Sequence, residues 1–139
     1  MTWLPGTADT MRRQVEDAYP AEGIGLLAGS WAHLTISRVA PLTNTATPGS
    51  RRSVVTAADA ASVLADLTAA GLDFVGCFHS HPDGVAELSR LDLRAVRYAG
   101  VEVVAVVHRP GLAEIAAWLV APGKRPRAVG VALPEAVNR

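Results

Sequence analysis

The sequence predicts an α/β protein in which helices sandwich a mixed β-sheet. Segments of helical period stand between segments of strand period, an order that builds layers rather than a helical bundle. Residues 101–107 are Val-rich and apolar except for Glu102, as expected of a central strand covered on both faces. Half of the 139 residues are apolar, enough for one buried core, so residues 1–139 are expected to form a single domain.

Taken in order, residues 8–19 carry Met11, Val15 and Ala18 at helical spacing and stop at Pro20. Residues 24–28 and 34–40 read as an antiparallel hairpin turning around Gly29 and Ser30, with Leu34, Ile36 and Arg38 on one face. Residues 41–52, rich in Thr, Asn, Pro, Gly and Ser and holding the pair Arg51-Arg52, form a loop long enough to suggest a functional reason. Thr56 and Asp59 have capping-box spacing and open a helix through Leu64 and Leu67 that Gly71 closes. In the strand at 73–79, alternation sets Phe74, Gly76 and Phe78 against Val75, Cys77 and His79.

Residues 82–88 make a turn with Asp83-Gly84, and a third helix begins at Ser89. Its apolar residues Leu93, Val96 and Tyr98 lie among Arg90, Arg94 and Arg97, which share one face, a solvated surface or a dock for an acidic protein. The strand at 101–107 ends at His108. A turn at Arg109-Pro110-Gly111, a strand at 114–120, a basic turn at 122–127 and a last strand at 128–133 complete the chain. His33 is read as an ordinary surface histidine, His108 as an ordinary strand-end histidine, and Cys77 as a small buried hydrophobe.

Lys plus Arg and Asp plus Glu number 13 each, so no charge field points to nucleic acid or an anionic membrane. The longest apolar runs, 103–107 and 115–121, are too short to span a bilayer, and no basic region leads into an apolar run at the N-terminus. A single cysteine cannot form an internal disulfide. A soluble, cytoplasmic protein is expected.

The chemistry concentrates in Phe78-His79-Ser80-His81-Pro82 and in Ser89-Arg90-Leu91-Asp92. Side chains alternate along a strand, so His79 and His81 lie on one face and can converge on a point. Ser89 reads as a helix N-cap with Asp92 in the first turn, from which the carboxylate can swing toward the imidazoles. Two imidazoles and one carboxylate on a zinc ion leave a fourth tetrahedral position open, as in catalytic rather than structural sites.

Written as HSHP, six residues, then SxxD, this stretch resembles the signature of the JAMM (MPN-plus) zinc metalloproteases. That family also uses an upstream glutamate, and Pro20-Ala21-Glu22 before Gly25-Leu26-Leu27-Ala28-Gly29 is similar to its setting. The resemblance implies an MPN/JAMM, cytidine deaminase-like architecture. It implies Zn2+ held by His79, His81 and Asp92, Glu22 as general base, and Ser89 as donor to the oxyanion. Leu88 stands where relatives often have proline, and Ile24 where many have cysteine; neither position is catalytic. A zinc deaminase would need two cysteines in a PCxxC that this chain lacks.

The compact chain is most similar to the prokaryotic JAMM peptidases. That resemblance implies hydrolysis of the amide bond after the C-terminal Gly-Gly of a ubiquitin-like β-grasp sulfur-carrier protein. On grounds of charge, the 41–52 loop is expected to cover such a tail, with Arg51 or Arg52 meeting acidic residues of the carrier. Neither nucleic acid nor membrane is an expected partner, and a homodimer is an allowed assembly. The competing expectation is a non-catalytic MPN-type interaction module.

Overall fold

The computed structural model describes residues 1–47, 49–50, 52–109 and 111–132. Arg51, Pro110 and Leu133, each given a place above, lie outside the described residues. Among those described, a seven-stranded mixed sheet has the order β1-β3-β2-β4-β5-β6-β7. The strands are β1 (Thr2–Trp3), β2 (Ile24–Ser30), β3 (Thr35–Leu42), β4 (Asp73–Pro82), β5 (Gly100–Val107), β6 (Leu112–Val120) and β7 (Arg127–Val129). Three helices, α1 (Thr7–Ala18), α2 (Ala57–Ala69) and α3 (Arg90–Ala95), accompany them. Among the described residues, no helix is long and apolar enough to cross a membrane.

The period of α1 does what it predicts, since Met11 and Val15, with Ala8, are buried. They pack on Leu27, Ile36, Val75, Phe78, Val101 and Val103 in the larger core. The opposite sheet face is covered by α2, whose Leu67 packs with Leu26 and Ala28. Because Leu26 and Leu27 are neighbours on one strand, the two cores lie on opposite faces and the helices do sandwich the sheet. The sheet also curls: Thr2 bridges Ala132, which brings β1 beside the segment that follows β7.

Several local expectations change for identifiable reasons. On β4 the pairing with β2 slips, so that Leu27 faces Gly76 and Ala28 faces Phe74. Val75 is the extra residue of this bulge. Val75 and Phe78 therefore share the α1 face, while Phe74 and Cys77 share the α2 face, in place of strict alternation. Gly76 is required here, because a Cβ would stand 1.8 Å from the Val101 carbonyl oxygen.

A second bulge at Ala28/Gly29 sends Ile36 and Val39 to one face, with Leu34 packed against the same core as expected, while Arg38 does not share that face. Leu34 adopts φ 45 in the turn before β3. Thr56 caps α2 as expected, but the Asp59 carboxylate accepts from Thr43 N at 2.9 Å instead of closing a capping box. The third helix ends at Ala95, so Val96, Arg97 and Tyr98 lie beyond it and the three arginines do not share a helix face. The last strand is short, Arg127–Val129 rather than 128–133.

Candidate metal centre

Strand register brings the distant parts of the site together. Antiparallel pairing sets Ile24 opposite His79, so two residues further along the register Glu22 arrives beside His81. Ser80 fastens this approach: its N–H donates to the Gly23 carbonyl at 2.9 Å, and its Oγ accepts from Gly23 N at 2.8 Å. Asn44 closes the other side, donating to the carbonyls of Glu22 at 2.9 Å and Arg52 at 3.2 Å while accepting from the N–H groups of Ala46 and Val54. Sequence reasoning had assigned no role to Ser80 or Asn44.

Both imidazoles are anchored through Nδ1. His79 Nδ1 lies 2.6 Å from Glu102 Oε1, and His81 Nδ1 lies 2.9 Å from the Val85 carbonyl oxygen. A carboxylate and a carbonyl only accept, so each Nδ1 carries a proton and each Nε2 is the ring nitrogen left to face the other donors. Those two Nε2 atoms stand 3.0 Å apart. Asp92 completes the set, with Oδ1 3.2 Å from His79 Nε2 and Oδ2 3.2 Å from His81 Nε2.

Three such donors facing one another repel unless positive charge, a proton or a metal ion, lies among them. Donor atoms around a tetrahedral zinc ion with bonds of about 2.0–2.1 Å stand about 3.3 Å apart, so the spacing and the donor set fit such an ion. Taken as one atom each, the three donors lie within 4.8 Å of one another.

The protonation tendencies agree. Burial alone would lower His79, but hydrogen bonds with Asp92 and Glu102 outweigh it and push its pKa up to about 10. The bond to Asp92 likewise raises His81, against burial. Burial would raise Asp92, yet the two histidines hold it well below the usual carboxylate range. All three shifts express one preference, for positive charge among these atoms.

Asp92 is placed by its helix start. Ser89 Oγ accepts from Asp92 N at 3.0 Å, and Ser89 N donates to Asp92 Oδ2 at 2.7 Å, the reciprocal capping box that SxxD predicts. The cap does not use the Ser89 hydroxyl proton, which can be donated into the adjoining cleft. That cleft, of about 640 Å³, is lined by Glu22, His81, Ser89 and Asp92, with Val54, Val85 and Leu91 at its apolar margins. The Glu22 side chain is buried; burial raises its carboxyl above the ordinary range, while His79 and a hydrogen bond with Ser53 pull it back. All five residues expected from the sequence are thus at or around one cleft.

Glu102 is the functional candidate that sequence reasoning missed. Its signal was a lone carboxylate in an otherwise apolar strand, which demands a buried partner. Tyr98 donates its hydroxyl to Glu102 Oε2. The Cys77 thiol, paired in register with Glu102, is pushed up to about 12 by burial and by that carboxylate; it is half-buried against the smaller core rather than fully buried as expected. His33 is exposed, and His108 Nδ1 donates to Asp83 at 3.2 Å; neither joins the cleft.

No side chain of α3 is buried, so Asp92 is a principal tie between this helix and the sheet. Stripping metal with a chelator is therefore expected to speed amide hydrogen exchange in residues 90–95 on the order of tenfold, and adding zinc to reverse it. Identical exchange in the two states would mean that α3 is held by something else.

Comparison with known proteins agrees with this fold. The family model described as prokaryotic homologs of the JAB domain matches residues 5–127. No curated protein matches the chain. Among solved structures, a Desulfitobacterium hafniense protein is similar at TM-score 0.81 and 22% identity, covering 96% of this chain and 92% of that one. A Salinibacter ruber protein is similar at TM-score 0.70 and 31% identity, covering 97% and 92%. A JAB1/MPN domain protein from Archaeoglobus fulgidus is similar at TM-score 0.61 and 20% identity, covering 94% and 96%.

Proposed function

The chain belongs to the family of prokaryotic JAB-domain homologs, and from that premise we propose that it is a zinc-dependent peptidase or isopeptidase, acting in the cytoplasm on a ubiquitin-like sulfur-carrier protein. The observation that carries this reading is the convergence of two imidazole Nε2 atoms and one carboxylate beside a buried glutamate in an open cleft. A structural zinc site would close all four positions with protein ligands; three donors facing a cleft leave room for reactants.

His79, His81 and Asp92 would hold a zinc ion, which would supply Lewis acidity and bring the pKa of water toward about 7. The protein's own residues do the rest. Glu22 takes the proton of the attacking water and returns it to the leaving amine, a task suited to a carboxyl whose pKa is raised by burial. Ser89 donates its hydroxyl to the oxyanion while its lone pair stays committed to the helix cap. Ser80 and Asn44 hold the Glu22 backbone in place.

The donors are recessed, with His79 only 4% exposed. An extended Gly-Gly tail suits such a site, because without side chains its carbonyl can approach closely. Arg52 at the rim can meet acidic residues of the folded carrier.

The test is mass spectrometry of a folded ubiquitin-like carrier bearing residues beyond its Gly-Gly, incubated with zinc-loaded protein. Cleavage directly after the second glycine is expected, slowed strongly by Gly-to-Ala changes in the tail. Equal cleavage of unfolded peptides lacking Gly-Gly would point to a general peptidase. Bound metal with no cleavage of any carrier would favour the non-catalytic interaction module.

A further inference from the structure

We propose that Glu102, held by Tyr98, is the positioning residue of the metal centre, fixing the orientation of His79 and completing the charge balance of a divalent ion. This rests on the metal-centre reading above and goes beyond it, to residues that touch neither the ion nor the reactants.

The two imidazoles are supported unequally. His81 leans on the carbonyl of Val85, which lies in a turn and is 63% exposed. His79 is backed by a carboxylate on the central strand, with 12% side-chain exposure. Parallel pairing sets Cys77 beside Glu102, and His79 lies two residues along β4 on the same face, which aims the glutamate at His79 Nδ1. The second carboxylate oxygen is taken by the Tyr98 hydroxyl, and the Tyr98 ring packs edge-on against Phe74, with centroids 5.1 Å apart and planes at 85°. The chain Phe74, Tyr98, Glu102, His79 therefore runs from the core to the metal donors, each link fixing the next.

Charge gives a second reason. Two neutral imidazoles and the Asp92 carboxylate leave one positive charge on a divalent ion in a largely buried site. Glu102 supplies the missing negative charge through the imidazole, and a carboxylate behind a ligating histidine also makes its lone pair more basic. Burying an isolated carboxylate in a Val-rich strand is otherwise costly.

The experiment measures zinc affinity by competition with a chromophoric chelator, together with the visible absorption of the Co2+-loaded protein. It compares wild type, Glu102→Gln, Glu102→Asp and Tyr98→Phe. Glu102→Gln is expected to weaken zinc binding about 10- to 100-fold and to shift the cobalt bands, with Tyr98→Phe following in the same direction by less. Glu102→Asp keeps the charge and is expected to recover part of the affinity. Unchanged affinity and spectrum in Glu102→Gln would overturn the inference while leaving the metal centre standing. Should that variant not fold, Tyr98→Phe decides in its place, and wild-type affinity and spectrum there overturn it. Absence of metal binding by the wild-type protein would remove both the centre and the inference.

Discussion

Glu22→Gln is expected to retain full metal stoichiometry while turnover falls by about 10²- to 10⁴-fold, the usual worth of a positioned general base. The amide keeps the size of the carboxyl and much of its hydrogen bonding, so the clasp made by Asn44 and Ser80 with the neighbouring backbone is undisturbed. What is lost is the ability to accept a proton. Ser89→Ala removes a donor rather than the base and should cost less in rate, although it also removes the helix cap, worth about 1 kcal/mol of stability. Steady-state kinetics paired with elemental analysis of the same samples separates the two roles. Near-normal turnover in Glu22→Gln would mean that another group serves the water, or that the reaction is not hydrolysis.

His79→Ala and Asp92→Ala are expected to abolish stoichiometric metal binding, because each removes one of three donors. The loss should exceed the roughly 10- to 100-fold cost of removing a partner behind a ligand. Asp92→Ala also deletes half of the capping box, since Ser89 N loses its acceptor. Asp92→Asn separates the effects: the amide oxygen can still accept from Ser89 N, so α3 persists while metal affinity falls. If His79→Ala and Asp92→Ala both kept one metal per chain by elemental analysis, the ligand assignment would be wrong.

The site was legible wherever short-range geometry decides. Two histidines one residue apart share a strand face as long as the chain stays extended, and a serine three residues before an aspartate at a helix start makes the reciprocal cap seen at Ser89 and Asp92. The helical period likewise exposes the buried side of α1, and the Val-rich run identifies the covered central strand. In each case the relevant partners lie within a few residues, so the information is local.

Tertiary structure decided the rest. The bulge that sends Phe74 and Phe78 to opposite faces depends on how β4 pairs with β2, which no residue of β4 announces by itself. Why α3 ends at Ala95, although apolar residues continue through Tyr98, follows from where Tyr98 must go, onto Phe74 and Glu102. The clasp of Gly23 by Ser80 and the support of His79 by Glu102 join residues 57 and 23 positions apart. The sequence by itself determined the donors and the elements that carry them. Only the folded sheet, through strand register, selected which polar groups stand behind those donors, because a hydrogen bond between distant residues exists only once their strands are paired.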